Sequence, residues 1–492
     1  MNKTSIIILL LVICNIGKIT AEDYKASLFG IKSNGTTLNT TAIQKAINYI
    51  HEKGGGKLVF YVGRYLTGHI ELKSNVHLQL EEGAILVGST NIYDYNIDTP
   101  YSSLVFAYQA ENTGISGKGV IDGQGRELAY NLTDQINKGI IADVMKYDRP
   151  GSRRPRAIYF RECKNVQISG IVIRNSADWV QVYDQCENLR IDGITVDSKA
   201  FWNNDGLDIV DCRNVKVTNS FIDASDDAIC FKSHDATKIC EDVEVRNCVA
   251  RSSANGIKFG TVTAGGYRNF KIVNNKVYDT YRSAITIATP DGGAIENILI
   301  DSLYAYNTGN AIYLRIGARS RPEKRGTMTN ITIQNMEAEI PATKPDAGYE
   351  YEGPVEDLPR NISPASIVGL PGQEITNVTL RNIRLVYPGG SNPNYAFRGT
   401  KPADLDSIPE MAKSYPEFSQ FKELPAWGFY LRHVRNINFE NITLTAKLPE
   451  YRPAVVMDDV KEARLSGMTY NEPGKGKKQL HTYKSSGVTQ TK

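Results

Sequence analysis

The amino-acid sequence predicts an all-β protein wound as a single-stranded parallel β-helix, on three observations. A unit of Asn followed by alternating apolar and polar residues recurs along most of the 492 residues. Successive copies between Asn165 and Asn297 begin 23–28 residues apart, the length of one solenoid turn. Each unit holds two or three short period-2 segments joined by Gly, Asn or Asp, which leaves no room for a crossover helix. Composition agrees, since 41% hydrophobic and 23% charged residues exclude a disordered or collagen-like chain.

Taken in order, the chain opens with Lys3 before an apolar run from Ile6 to Cys14, and Ile19-Thr20-Ala21 ends on a small residue before Glu22. This predicts a cleaved signal peptide over residues 1–21 and a secreted or periplasmic mature chain. The run is too short for a permanent membrane span, and no later segment reaches 18 apolar residues. Cys14 follows Leu-Val-Ile rather than a small residue, which disfavours a lipid anchor. Thr40–His51 has the pattern of a short amphipathic helix stopped by Gly54-Gly55-Gly56, placed to cap the first coil. Repeat units follow at Asn165, Asn188, Asn214, Asn269, Asn297, Asn330, Asn377 and Asn436, with a degenerate copy at Asp242. Stacked coils bring equivalent residues to about 4.8 Å, so these asparagines should pass side-chain amide hydrogen bonds along the axis. Cys163, Cys186 and Cys212 each stand two residues before a repeat Asn and should stack as buried, free thiols. Segments 124–157, 339–372 and 384–430 interrupt the period and read as long loop insertions that wall a groove. Residues 22–492 are therefore expected to form one solenoid domain, acting as a monomer.

Charge narrows the function. Lys+Arg 57 against Asp+Glu 54 gives +3, no footprint for a nucleic-acid partner. Within that balance two acidic groups stand out, Asn203-Asn204-Asp205-Gly206-Leu207-Asp208 and Ser225-Asp226-Asp227-Ala228. Their separation is close to one coil, so Asp205 and Asp226 should lie nearly above one another. Packed carboxyls repel and desolvate, raising at least one proton affinity while others stay ionised. Glycoside hydrolysis needs that division of labour. The competing reading is that these aspartates only satisfy turn backbone.

At these residues the sequence resembles glycoside hydrolase family 28, the polygalacturonase and rhamnogalacturonan hydrolase family of right-handed, pectin lyase-like β-helices. The resemblance runs through Phe29-Gly-Ile-Lys-Ser-Asn-Gly, Gly54-Gly-Gly-Lys-Leu-Val-Phe, Arg154-Pro-Arg-Ala-Ile, the two acidic groups and Leu424-Pro-Ala-Trp-Gly-Phe-Tyr-Leu-Arg-His-Val. It implies a glycosidase acting on α-linkages in a pectic or related acidic polysaccharide by single displacement with inversion. Asp226 would be the general acid, and Asp205 and Asp227 would activate water. No metal or organic cofactor is implied.

Two departures accompany the match. The family's Gly-His-Gly is Ala254-Asn255-Gly256 here, and its Arg-Ile-Lys is Thr286-Ile287-Ala288. Asn255 can hydrogen-bond but cannot carry a proton, and both cations that grip a uronate are gone. Arg315 and Arg319, in a basic stretch about one coil beyond Thr286, are candidate replacements for that clamp. Asn203, Asn255 and Lys258 complete the candidate substrate-binding set, and Trp179, Trp202 and Tyr281 are candidate sugar-stacking or packing aromatics. Two alternatives stay open: a β-helix lyase using Asp223, Asp226 and Asp227 as a calcium cluster, and a non-catalytic glycan-binding solenoid.

Overall fold

The computed structural model describes residues 22–143, 154–199, 201–320, 324–346, 349, 363–390, 399–474 and 477–491. The expected signal peptide and parts of all three expected insertions lie outside them. Among the described residues every ladder between strands is parallel, each strand pairing with its equivalent one coil before and after. The ladder Val166↔Leu189↔Val215↔Val243↔Phe270↔Ile298↔Ile331↔Val378↔Ile437 shows why the repeat winds this way. Its members are buried and join one axial core, while alternate positions such as Lys216 and Glu244 face outward. Burying each such side chain contributes about 1.5–3 kcal/mol.

Asparagine holds the corners. Asn165, Asn188 and Asn214 all adopt positive φ, 54°, 58° and 55°, the left-handed conformation that Asn tolerates better than most residues. The amides run as expected, Asn165 donating to Asn112 at 3.0 Å, Asn188 to Asn165 at 3.0 Å and Asn214 to Asn188 at 2.6 Å. The ladder continues from Asn297 through Asn330 and Asn377 to Asn436. Cys163, Cys186 and Cys212 are free and buried, as are Cys230, Cys240 and Cys248.

The Thr40–Glu52 helix packs Ile43, Ile47 and Ile50 into the start of the core. Asn39 at its N-terminus turns its side chain away, accepting from Lys32 N at 2.8 Å. The insertions differ from expectation in their edges and contents. The first carries a helix, Gly125–Asn137, seated by Leu128, Ala129 and Leu132. The second encloses a coil strand, Ala365–Val368, in register with Tyr313–Arg315. The third begins only after the strand Ile375–Tyr387 and is pinned by Leu405, Ile408, Phe418, Phe421 and Leu424 in a separate apolar cluster.

Candidate active site

The two acidic groups meet on one strand column, with a register that differs by one residue from the sequence expectation. Leu207 pairs with Ile229, Gly206 N donates to Asp227 O and Asp226 N donates to Asn204 O. Asp227, not Asp226, therefore lies beside Asp205. The coil is one residue longer than the Asp205–Asp226 spacing, so Asp226 stands over Asn204 instead.

Each carboxyl has a distinct environment. Asp205 is buried against Lys232, Nζ at 2.7 Å from Oδ2, and the same ammonium holds Asp208 Oδ1 at 2.6 Å. Burial raises both carboxyls against the pull of Lys232, and Lys232 is held firmly cationic by the pair despite its own burial. Two carboxyls share one cation, so this group has room for a proton. The Trp179 ring covers Lys232 at 4.3 Å. Asp227 accepts from Asn255 Nδ2 at 2.7 Å and Asn255 N at 3.1 Å on Oδ1, and meets Lys258 Nζ at 2.9 Å on Oδ2. Burial alone would raise it, but Lys258, Lys232, Arg282 and Asn255 outweigh burial and hold it below the ordinary carboxylate value. Asp226 is the partly exposed member. Desolvation and the adjacent Asp227 charge push it up to about 6, against the pull of Arg282 and Lys258. Neighbouring carboxyls are thus driven apart, one toward holding a proton and one toward losing it.

The two departures in the motifs are joined to each other. Thr286 Oγ1 donates to Asn255 Oδ1 at 2.9 Å, while Asn255 Nδ2 donates to Asp227. Lys258, 1% exposed, brings a cation to Asp227 from the strand Ile257–Thr263. Asn203 donates to Asp178 at 3.0 Å and so braces the turn that carries Asp205.

Arg315 and Arg319, the candidate clamp, are each engaged by groups of the protein itself. Arg315 stacks on Ala288, and Tyr313 stacks on Thr286. Arg315 is 2% exposed and its guanidinium donates to the carbonyls of Gly369 and Glu410, with the Phe421 ring at 5.0 Å. Arg319 pairs with Asp291 at 3.0 Å. Arg315 ties the coil to the third insertion through Glu410, and Arg319 ties its loop to the turn one coil before. Of the aromatics, Trp179 alone touches the acid cluster; Trp202 packs on Arg154 at 4.2 Å and Tyr281 on Lys344 at 5.2 Å.

Four residues that sequence reasoning did not select complete the cluster. Lys232 had a readable signal, two residues past Cys230, the position that stacks on Asp208, and so on the same side of the next strand in that column. Arg282, Tyr415 and Glu417 had none that spacing could supply. The third insertion delivers Tyr415, whose hydroxyl accepts from Lys258 Nζ at 3.1 Å, and buried Glu417, 3.1 Å from Arg282 Nη1 and 3.5 Å from Lys258 Nζ.

Asp205, Asp227 and Cys230 bring their ligand atoms within 4.8 Å of one another, but Lys232 Nζ lies 3.0 Å from the Cys230 sulfur and already supplies a positive charge there. Asp223 is drawn away by Lys199, Arg251 and the Tyr349 hydroxyl. It does not join Asp226 and Asp227, so the calcium-cluster reading loses a ligand. An outer hollow lined by Asn214, Lys216, Glu244 and Lys271 lies on a different strand column, away from the carboxyls.

The model of glycosyl hydrolases family 28 matches residues 59–298, the span that contains the acid cluster. The exo-poly-alpha-D-galacturonosidase of Dickeya chrysanthemi is 25% identical over 452 residues, covering 77% of this chain and 73% of its own. Residues 59–298 thus match the glycosyl hydrolase family 28 pattern. The chain is a glycosidase. The family 28 exopolygalacturonase of Yersinia enterocolitica superposes with a TM-score of 0.62 at 22% identity, covering 95% of this chain and 78% of its own. The hyperthermoactive exopolygalacturonase of Thermotoga maritima gives 0.59 at 23% identity, over 74% and 87%. Among the described residues no helix is long and apolar enough to cross a membrane.

Proposed function

We propose that this glycosidase hydrolyses α-glycosidic bonds in a pectic polysaccharide by single displacement with inversion. Asp226 protonates the glycosidic oxygen, and Asp227 with Asp205 holds and deprotonates the attacking water. The observation that carries this reading is the arrangement of three carboxyls: Asp205 on Lys232 and Asp227 on Lys258 and Asn255 are buried and held by cations, while the adjacent Asp226 is partly exposed, its proton affinity raised where that of Asp227 is lowered. The relatives' names, galacturonosidase and exopolygalacturonase, support a pectic substrate. Asn255, Lys258 and Asn203 keep the carboxyls in place rather than carrying protons. The same reading includes a right-handed coil closed at its first turn by the Thr40–Glu52 helix, export directed by residues 1–21, and one monomeric domain over 22–492.

The test is incubation of the wild type and Asp226→Asn with homogalacturonan, rhamnogalacturonan and neutral-branched pectic fractions. Cleavage by the wild type, lost by about a thousandfold in the variant, is the expected result. Equal cleavage by both would overturn the assignment, and an ultraviolet-absorbing unsaturated product would replace it with a lyase.

A further inference from the structure

Glu417 reaches the acid cluster from a segment remote in sequence, and it is fixed there rather than draped over it. Phe418 and Phe421 on one side and Leu405 and Ile408 on the other are buried in the cluster that pins the third insertion. The Glu417 side chain is 4% exposed. Its Oε1 lies 3.1 Å from Arg282 Nη1 and 3.5 Å from both Lys258 Nζ and Asn255 Nδ2. Its Oε2 is buried with no hydrogen-bond partner among the described residues, and Arg282 Nε is in the same condition. A buried carboxylate oxygen without a donor is costly unless a ligand hydroxyl completes it.

Charge counting shows what ligand that is. Three cations face the cluster, and each already has a carboxylate: Lys232 has Asp205 and Asp208, Lys258 has Asp227, and Arg282 has Glu417. Asp226 is the carboxyl left over. A uronate arriving here would bring a sixth carboxylate to three cations, whereas a neutral sugar brings hydroxyl donors that Glu417 Oε2 can accept.

We propose that Glu417 is a specificity-determining residue, its carboxylate holding the place between Lys258 and Arg282 that an acidic sugar would need, so that the adjoining subsite takes a neutral sugar. This rests on the polysaccharide-hydrolase reading and narrows its substrate to a pectic polymer with neutral residues at the site of cutting.

The test is binding rather than turnover. Affinities for D-galactose and D-galacturonate are measured by calorimetry on the wild type and on Glu417→Gln, which keeps the shape and removes the charge. The wild type should bind galacturonate no more tightly than galactose. Glu417→Gln should gain about tenfold for galacturonate, with galactose changed by less than about threefold because a sugar hydroxyl can donate to the amide oxygen or accept from the amide nitrogen, and the galacturonate gain should shrink in high salt. No gain in the variant, from whatever starting level, overturns the proposal. So does a wild type that already prefers galacturonate tenfold, a result that needs no variant to fold. Polymer cleavage without this inversion of preference defeats the Glu417 assignment alone. Inversion in a protein that cleaves no pectic polymer defeats the hydrolase reading alone.

Discussion

Replacing Asp226 with Asn removes a charge that the folded chain holds against its neighbours, so the variant should gain stability as it loses turnover. Desolvation and the Asp227 charge raise this carboxyl from 3.8 to about 6. A displacement of that size corresponds to about 3 kcal/mol, and the partial exposure of Asp226 discounts it to about 1–2 kcal/mol. The sign follows from linkage: the folded state binds the proton more tightly than the unfolded state, so ionisation costs stability as pH rises from about 4 to about 6. Asn cannot ionise, and its Oδ1 can still accept the Asp227 N–H that Asp226 accepts at 2.9 Å. Denaturant unfolding of both proteins from pH 3.5 to pH 8 measures the difference. The curves should coincide near pH 3.5 and separate to a plateau above pH 6, the variant more stable. A variant equally or less stable at pH 8 would refute the argument that Asp226 is held against repulsion.

Further predictions follow from the same geometry. Lys232→Met strands Asp205 and Asp208 without their cation and should cost about 3–5 kcal/mol at pH 7 by denaturant midpoint, less at pH 4 where both carboxyls can protonate. Asn255→Leu removes the side-chain bond to Asp227 Oδ1 and keeps the backbone one, so the acidic limb of the pH–rate profile should move to higher pH and kcat should fall about ten- to a hundredfold. Asn188→Ala breaks two rungs of the corner ladder and puts at φ 58° a residue that tolerates the left-handed region less well than Asn, which should lower stability by about 1–2 kcal/mol with kcat/KM unchanged. Arg315→Met should lower the melting temperature by releasing Gly369 and Glu410 while leaving KM for polymer unchanged; a raised KM would return Arg315 to the substrate.

The solenoid was legible because its physics is local and repeated. A corner Asn every coil, a period-2 strand and a buried Cys before the turn each state the same answer in a short window, and the ladders from Asn112 to Asn436 follow from it. The acid cluster was legible to within one residue. Spacing placed Asp205 above Asp226, but coil length varies by a residue or more, and only the pairing of Leu207 with Ile229 fixes the register. The Gly125–Asn137 helix was missed inside a segment whose charge and later prolines read as loop, although Leu128, Ala129 and Leu132 carry helical spacing. Glu417 was illegible for a different reason. It reaches Asn255 and Lys258 across more than 150 residues of chain, and no periodicity links an insertion to the coil it folds back upon. Arg315 misled because a basic stretch in sequence says nothing about direction, and this guanidinium turns toward backbone carbonyls.

The opposed carboxyls of Asp226 and Asp227 have one stereochemical consequence that can be read directly. Proton NMR of the first product released by the wild type from a susceptible pectic polymer, recorded before mutarotation, reports the configuration of the new reducing end. Single displacement on an α-linkage predicts that the β-anomer appears first, with no such signal from Asp226→Asn. The α-anomer appearing first would contradict the account, because it would require one of these carboxylates to form a covalent bond to the sugar.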